Sequence, residues 1–453
     1  MYGFVKDKKF YTTFIILTIS LALQNLLTYS VNLADNLMIG RYSQSAIGSI
    51  AICNQIQFFL QMLVSGVGEG VVVLCSQYFG KNNYKPIVDI IGVGMRFGIA
   101  ISFIMFLGGL IIPEKILGII SNDPLLINDA VKYMRIVCFT YVIFTATNTL
   151  VASLRSIGIV SIGYIISFST LCMNIILNYC LIYGNFGFPS LGIEGAAIAT
   201  LVSRTLELII VIVFLKYREN KLNISLKKLL FIDSSYIQDY IKISLPLLIT
   251  QATWGIAQIV QTAIIGNMPN SSISITANSI AVLTFQIISV IGYGSASAAA
   301  ILTGKAIGVG DMDIVKKQTF TFQCLFVCIG IVTGISIFLL KDVILSFYPL
   351  LDGATKDTTV QFIIVMAITS IGTCYQMATD TGIIRAGGSP SFSMINNTIF
   401  MWLIVLPTAY ISAYILKLSP VIVFFCLKSD QILKCPVIFI YANSYKWIKK
   451  VTR

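Results

Sequence analysis

The sequence predicts an all-α integral membrane protein whose twelve transmembrane helices form two pseudo-symmetric six-helix bundles. Its 453 residues are 57% hydrophobic and 11% charged, and the mean hydropathy is +0.87. Soluble domains carry about 25% charged residues, so this chain has too few polar side chains to cover a soluble fold. Two further observations support this fold class: apolar runs long enough to span a bilayer, and a similarity between the two halves of the chain.

The apolar runs set the order of the helices, because a membrane-spanning helix needs about 20 apolar residues. In the first half we expect helices near 10–38, 46–76, 88–112, 128–152, 159–183 and 192–215. In the second half we expect them near 239–266, 274–303, 317–340, 359–384, 391–415 and 418–441. The last run is the weakest, since Lys428, Asp430 and Lys434 interrupt it. The domains are therefore an N-terminal lobe (1–215), a basic cytoplasmic linker (216–238) and a C-terminal lobe (239–453).

The basic residues predict the orientation, because cytoplasmic loops of membrane proteins are rich in Lys and Arg. Twelve spans place both termini on one side of the membrane. That side holds 22 Lys and Arg residues and the other holds seven, when Arg96 and Arg204 inside spans are left out. Both termini are thus expected in the cytoplasm. The formal net charge of +12 is attributed to these loops, and no nucleic acid partner is expected.

Several kinds of chemistry are excluded by residues that the sequence lacks. There is no histidine, which excludes histidine-based zinc sites and general bases. The ten cysteines show no CxxC spacing and fall mostly in apolar runs, so we interpret them as buried thiols. Gly304 and Lys305 are followed by Ala306, which does not make a phosphate-binding loop. We therefore expect no enzyme activity, no metal and no cofactor, and an ion gradient must drive any transport.

The two halves align at an offset of about 226 residues. Each half contains an even number of spans, so the repeats share one orientation and are related by an axis along the membrane normal. The aligned positions form two polar stripes, because residues three or four apart share one face of a helix. The pairs are Asn25 with Gln251, Thr28 with Trp254, Asn32 with Gln258, and Asp35 with Gln261.

We expect these stripes to line a watery cleft between the lobes, where substrate binds. The alternative is that the polar groups only hydrogen-bond neighbouring helices.

Acidic residues inside spans are candidate functional groups, because a charge in the membrane is costly. Asp35 is the only acid on the first stripe. It is interpreted either as a buried carboxylate neutralised by a proton or a cation, or as a solvated group at the mouth of a loop. Glu69 faces the cleft or pairs with Arg96 or Lys305. Asp380 has a candidate partner five residues later.

Short motifs in the expected order resemble the multidrug and toxic compound extrusion family. They include LADNLMIG at Leu33–Gly40, SQYFG at Ser76–Gly80, LRSIG at Leu154–Gly158, GAAIAT at Gly195–Thr200 and RAGG at Arg385–Gly388. The similarity covers almost the whole chain, and the tail Ser444–Arg453 looks like that of clostridial-type bacterial members. The resemblance implies a monomeric antiporter of the bacterial plasma membrane. Such a protein exports small organic compounds, often cationic, in exchange for inward Na⁺ or H⁺.

The resemblance also assigns roles to individual residues. Asp35 matches the aspartate that couples the ion in the family. In one branch an Asn, an Asp and a Thr complete the site; Asn174 and Thr200 match two of these, while Asn178 stands where the Asp would be. Another branch uses a Glu and an Asp of the C-terminal lobe, and here Gln251 and Cys374 occupy those places. The resemblance therefore implies that the coupling ion binds in the N-terminal lobe. Na⁺ and H⁺ remain alternatives for that ion.

Two other functions remain open at this point. A flippase of the same superfamily would move a lipid-linked precursor, and its cavity would need several basic residues for the pyrophosphate; the two stripes hold none. A receptor or scaffold without transport activity would not need duplicated polar stripes.

Overall fold

A computed structural model describes residues 3–42, 44–120, 124–218, 235–268, 271–348 and 351–452. These ranges are helical and contain no β-strand, which confirms the all-α class. The helices of the first half are α1 (Lys8–Tyr42), α2 (Gln44–Gly80), α3 (Lys85–Ile111), α4 (Pro113–Gly118), α5 (Pro124–Val137), α6 (Phe139–Ser156), α7 (Ser161–Tyr183) and α8 (Gly192–Tyr217).

The second half is also helical and contains three π-helical segments. Its helices are α9 (Ser235–Gly266), α10 (Ser271–Ile288), α11 (Val290–Val309), α12 (Met312–Ser346), α13 (Gly353–Thr379), α14 (Pro390–Thr398), α15 (Leu406–Tyr410), α16 (Pro420–Lys428) and α17 (Asp430–Asn443). The π-helical segments are Asp380–Arg385, Ile399–Val405 and Ile411–Ile415. Ten helices of the described chain are long and apolar enough to cross a membrane, or 11 if the bent pair α5 and α6 forms one span.

Three helices that the sequence predicts as continuous are divided. The run 128–152 is bent by 47° between α5 and α6, the run 274–303 breaks at Ser289, and the run 418–441 breaks at Ser429. The two serine hydroxyls bond to carbonyls of the preceding turn: Ser289 Oγ donates to Phe285 O at 2.5 Å, and Ser429 Oγ to Cys426 O at 2.7 Å. Such bonds back to the helix favour bends.

The chain forms two compact units whose boundaries lie inside helices. One unit comprises Met1–Ala22 with Ile249–Arg453, and the other comprises Leu23–Leu248. The boundaries therefore divide α1 and α9. Ala22 and Leu248 are 226 residues apart, which is the offset that relates the two halves of the sequence. The predicted linker 216–238 lies mostly outside the described residues, which resume at Ser235.

Glycines allow close helix packing within the unit Leu23–Leu248. A Cβ on Gly195 would come within 2.5 Å of the backbone oxygen of Leu181, so α8 approaches α7 more closely there than any other residue type permits. A Cβ on Gly66 would likewise meet the backbone of Leu248 at 3.0 Å. Small residues at helix contacts are typical of membrane proteins, where apolar burial gives no advantage over lipid.

The charges that interrupt the last predicted span are compensated within the unit that contains Ile249–Arg453. Lys434 Nζ lies 2.9 Å from Asp430 Oδ2, and both side chains are at most 4% exposed. Lys434 also donates to Asn397 Oδ1 at 2.9 Å, and Asp430 accepts from Gln431 Nε2 at 2.9 Å. This buried ion pair ties α17 to α14, so the acid and base that weaken the predicted span neutralise each other in the fold.

The substitution Lys434→Met is expected to destabilise the protein strongly, because it leaves the carboxylate of Asp430 buried without a counter-charge. Breaking a buried pair costs roughly 3–5 kcal/mol, and the double variant Asp430→Asn with Lys434→Met is expected to recover part of that loss. The measurement is thermal unfolding of the purified protein in detergent. The control is Lys341→Met, whose partner Asp342 is 75% exposed. Equal shifts for the two lysine variants would contradict the assignment.

Candidate functional site

The unit Leu23–Leu248 contains a small polar cavity between five of its helices. Its volume is about 30 Å³, which exceeds the roughly 10–15 Å³ that one water needs and is far below the roughly 300–1,000 Å³ of sites for drug-sized ligands. The cavity can therefore hold one ion or water. It is lined by Val31, Asn32, Asp35, Ile50, Asn54, Gln57, Tyr133, Thr170, Asn174, Thr200, Ser203 and Arg204.

Asp35 is half-buried and is held by an amide of α7. Its Oδ1 accepts a hydrogen bond of 2.6 Å from Nδ2 of Asn178, and the same nitrogen lies 3.1 Å from Oδ1 of Asn174. The nitrogen of Asn178 thus faces two acceptors, so its Oδ1 points elsewhere. This buried oxygen has no hydrogen-bond partner among the described residues. A buried acceptor without a partner costs about 1–3 kcal/mol.

Thr200 adds a hydroxyl oxygen to the lining of the cavity. The hydroxyl of Thr200 donates its proton to Ala196 O at 3.0 Å, which leaves its lone pairs unused by that bond. Together with Asp35, Asn174 and Asn178, it forms a set of carboxylate, amide and hydroxyl oxygens. Hard cations prefer such ligands. Within the described ranges no three His, Cys, Asp or Glu residues group as a metal site, and one carboxylate matches a single positive charge.

A buried ion pair next to this site was not predicted from the sequence. Arg204 NH1 lies 2.9 Å from both carboxylate oxygens of Glu207, and Thr170 Oγ1 lies 2.9 Å from Glu207 Oε1. Arg204 also lies over the ring of Phe144, 5.0 Å from its centroid. Because Glu207 neutralises Arg204, the net charge of the cavity is that of Asp35. Arg204 and Glu207 are three residues apart, which places them on one face of a helix. This spacing could have predicted the ion pair from the sequence.

Only part of the first polar stripe reaches the cavity. Asn32 and Asp35 line it, whereas Asn25 is half-buried and does not. Thr28 is exposed, and its hydroxyl donates to Gln24 O of the preceding turn at 2.9 Å. Its oxygen also lies 3.5 Å from Ser167 Oγ on α7, which is the contact with a neighbouring helix that the alternative interpretation of the stripe expects.

A larger cavity lies in the unit that contains Ile249–Arg453. Its volume is about 400 Å³, within the range of small-molecule sites. Gln258 and Gln261 of the second stripe line it, and the amide of Gln261 also donates to Met401 Sδ at 3.4 Å. Gln251 and Trp254 lie earlier on α9 and are not part of its lining. The stripe therefore contributes only its C-terminal half to this cavity.

The other two acids predicted as candidates line neither cavity. Glu69 is half-buried on α2, in electrostatic range of Arg155. Asp380 is buried and forms an ion pair with Arg385, 2.9 Å away, and it also accepts hydrogen bonds from Ser393 and Asn397. Asp380 therefore has the partner expected from the sequence and holds the π-helical segment at the end of α13 against α14.

Comparisons with known proteins identify relatives along most of the chain. The MatE family profile matches residues 20–180 and 246–411, two segments that begin 226 residues apart. An uncharacterized transporter, YisQ of Bacillus subtilis, is 25% identical over 92% of this chain and 90% of its own length. A probable multidrug resistance protein, NorM of Listeria innocua, is 24% identical over 90% of this chain and 88% of its own.

The fold is also similar to a solved structure, described as MATE in the straight conformation. The TM-score is 0.85 at 17% identity, with 95% of each chain covered. This similarity confirms the twelve-helix fold that the sequence predicts.

The substitution Thr200→Val is expected to weaken Na⁺ binding about tenfold, or about 1.4 kcal/mol, because it removes one oxygen from the site and keeps the side-chain shape. Thr205→Val is the matched control: Thr205 lies on the same helix and donates to Leu201 O at 2.8 Å, but it is exposed. The measurement is ²²Na⁺ binding to the purified protein. Equal affinities of the two variants would show that Thr200 does not coordinate the ion.

Proposed function

Because this chain belongs to the MatE family of membrane transporters, we propose that it is a secondary active antiporter, which exports organic compounds in exchange for inward Na⁺ or H⁺. The observation that carries the proposal is the cavity at Asp35. It has room for one ion and contains one uncompensated carboxylate. Asn178, which donates to that carboxylate, has a buried amide oxygen without a partner among the described residues.

The ion is proposed to bind at Asp35, with Asn174, Asn178 and Thr200 supplying the remaining oxygens. A carboxylate in an apolar bundle is unfavourable while it is charged and empty, so loading with a cation or a proton stabilises the site. A membrane potential of 100 mV is worth about 2.3 kcal/mol per charge, which is roughly a fifty-fold concentration ratio. Entry of one cation is therefore sufficient to drive useful export.

The organic compound is proposed to bind elsewhere, because the cavity at Asp35 is too small for it. The cavity that contains Gln258 and Gln261 has the required volume of about 400 Å³. The names of the relatives, which include probable multidrug resistance proteins, support small organic molecules as substrates. We further propose that the protein acts as a monomer in the bacterial plasma membrane, with both termini in the cytoplasm, as the distribution of basic residues predicts.

The substitution Asp35→Asn is expected to abolish gradient-driven export, since a neutral amide neither takes up a proton nor supplies the negative charge that balances a cation. The measurement is dye export from proteoliposomes with a Na⁺ gradient or a pH gradient imposed separately, using ethidium and fluorescein as dyes of opposite charge. Asp357→Asn is the control, because Asp357 is exposed on the first turns of α13. Whichever gradient drives the unchanged protein identifies the ion. Undiminished export by Asp35→Asn would refute the coupling role.

A further inference from the structure

We propose that the larger cavity, in the unit containing Ile249–Arg453, binds organic acids through their carboxylate, with Lys428 as the counter-charge. This inference rests on the proposed function for its role in transport. It concerns the chemical class of the compound that enters the cavity, which is an amphipathic molecule with one carboxylate and an apolar body.

Lys428 is the first observation. It lies at the end of α16, is half-buried and lines the cavity. Among the residues that the structure describes, no carboxylate lies within ion-pair distance of its ammonium group, and no oxygen accepts a hydrogen bond from it. Its defined interactions are with the ring of Phe424, whose centroid is 5.6 Å away, and, beyond ion-pair distance, with the charge of Asp430. A half-buried ammonium without an acceptor is unusual, and an anionic ligand would supply one.

The acid nearest to Lys428 in sequence does not neutralise it. Asp430 accepts from Lys434 Nζ and from Gln431 Nε2, each at 2.9 Å. Lys434 already balances the charge of Asp430. Lys428 therefore carries one positive charge in excess in this part of the unit, and Lys428 lines the cavity.

Two amides line the same cavity as Lys428 and complete the proposed site for a carboxylate. Gln258 and Asn278 both line the cavity, and neither side chain has a hydrogen-bond partner in the described part of the chain. The hydroxyls of Thr262 and Ser279, by contrast, donate to carbonyls of their own helices, at 3.0 and 2.9 Å. The free donors facing the cavity are thus an ammonium and two amides, and its lining includes no acid.

Apart from Gln261, the rest of the lining is apolar and suits the body of such a molecule. Ile265, Val282, Leu283 and Leu427 contribute aliphatic surface beside the ring of Phe424. With about 400 Å³ of space, the cavity matches a small amphipathic acid that places its carboxylate at Lys428 and its body against these side chains. An organic cation of the same size would bring its charge next to the ammonium and be repelled.

The test uses two dyes that differ in one functional group: rhodamine 19, which has a free carboxylate, and rhodamine 6G, its ethyl ester. Binding to the purified full-length protein is measured by fluorescence anisotropy, without an ion gradient. The unchanged protein is expected to bind rhodamine 19 at least about tenfold more tightly than the ester. Lys428→Gln is expected to remove this preference, and Lys428→Glu to reverse it. Lys356→Glu, at an exposed lysine of α13, is the control for charge.

Two further variants keep the test decisive if a substitution at Lys428 prevents folding. Gln258→Ala and Asn278→Ala are each expected to weaken the binding of rhodamine 19 several-fold more than that of rhodamine 6G. Equal affinities of the unchanged protein for both dyes, or a preference that these variants do not alter, would overturn the inference. If the protein prefers rhodamine 19 over its ester but shows no gradient-driven export, only the antiport function is contradicted. If it exports dyes but binds both rhodamines equally, only the carboxylate site is contradicted.

Discussion

The hydrogen bond of 2.6 Å from Asn178 Nδ2 to Asp35 Oδ1 is the interaction on which the proposed ion site depends. This bond fixes the orientation of the Asn178 amide group. As a result, the amide oxygen accepts no hydrogen bond from any residue that the structure describes. The bond also joins α7 to α1 at the one carboxylate of the cavity. Binding or release of an ion at Asp35 would therefore act directly on α7. Such a link between helices is required if ion binding is to be coupled to a change of conformation.

Charged groups buried in this protein fall into two classes. Asp380 with Arg385, Asp430 with Lys434, and Glu207 with Arg204 form ion pairs at 2.9 Å. These pairs are neutral, and each lies within one helical segment. A side chain of a neighbouring helix hydrogen-bonds to each pair. Asp35 and Lys428 differ, because no ion pair within the described ranges compensates either of them and each lines a cavity. Their opposite charges suit a cation in one unit and an organic acid in the other.

The sequence predicted much of this arrangement, and its failures have physical causes. Periodicity identified the helix face that carries Asn32, Asp35, Gln258 and Gln261, but it does not reveal the depth at which neighbouring helices leave a void. That Gln251 and Trp254 line a cleft between the lobes therefore stays a prediction. The partners of Asp35 came from family resemblance alone, since Asn174, Asn178 and Thr200 lie on helices far along the chain.

Charges inside spans were the least predictable feature. From the sequence, three charged residues were interpreted as interruptions of a weak helix: Lys428, Asp430 and Lys434. The role of a charge inside the membrane depends on its neighbours in the fold, which the sequence does not show. The breaks at Ser289 and Ser429 were missed for a related reason. A serine that bonds to its own helix is compatible with both a straight and a broken helix, so the outcome depends on tertiary packing.

The position of the unit boundaries has an evolutionary consequence. Each unit is completed by the opening segment of a helix that continues into the other, and both crossings occur at the same place in the repeat. A half-length ancestor with this design could not have closed its own bundle. It would have become whole only as a homodimer that exchanged these segments, and gene fusion would then have turned an association between two chains into a covalent one.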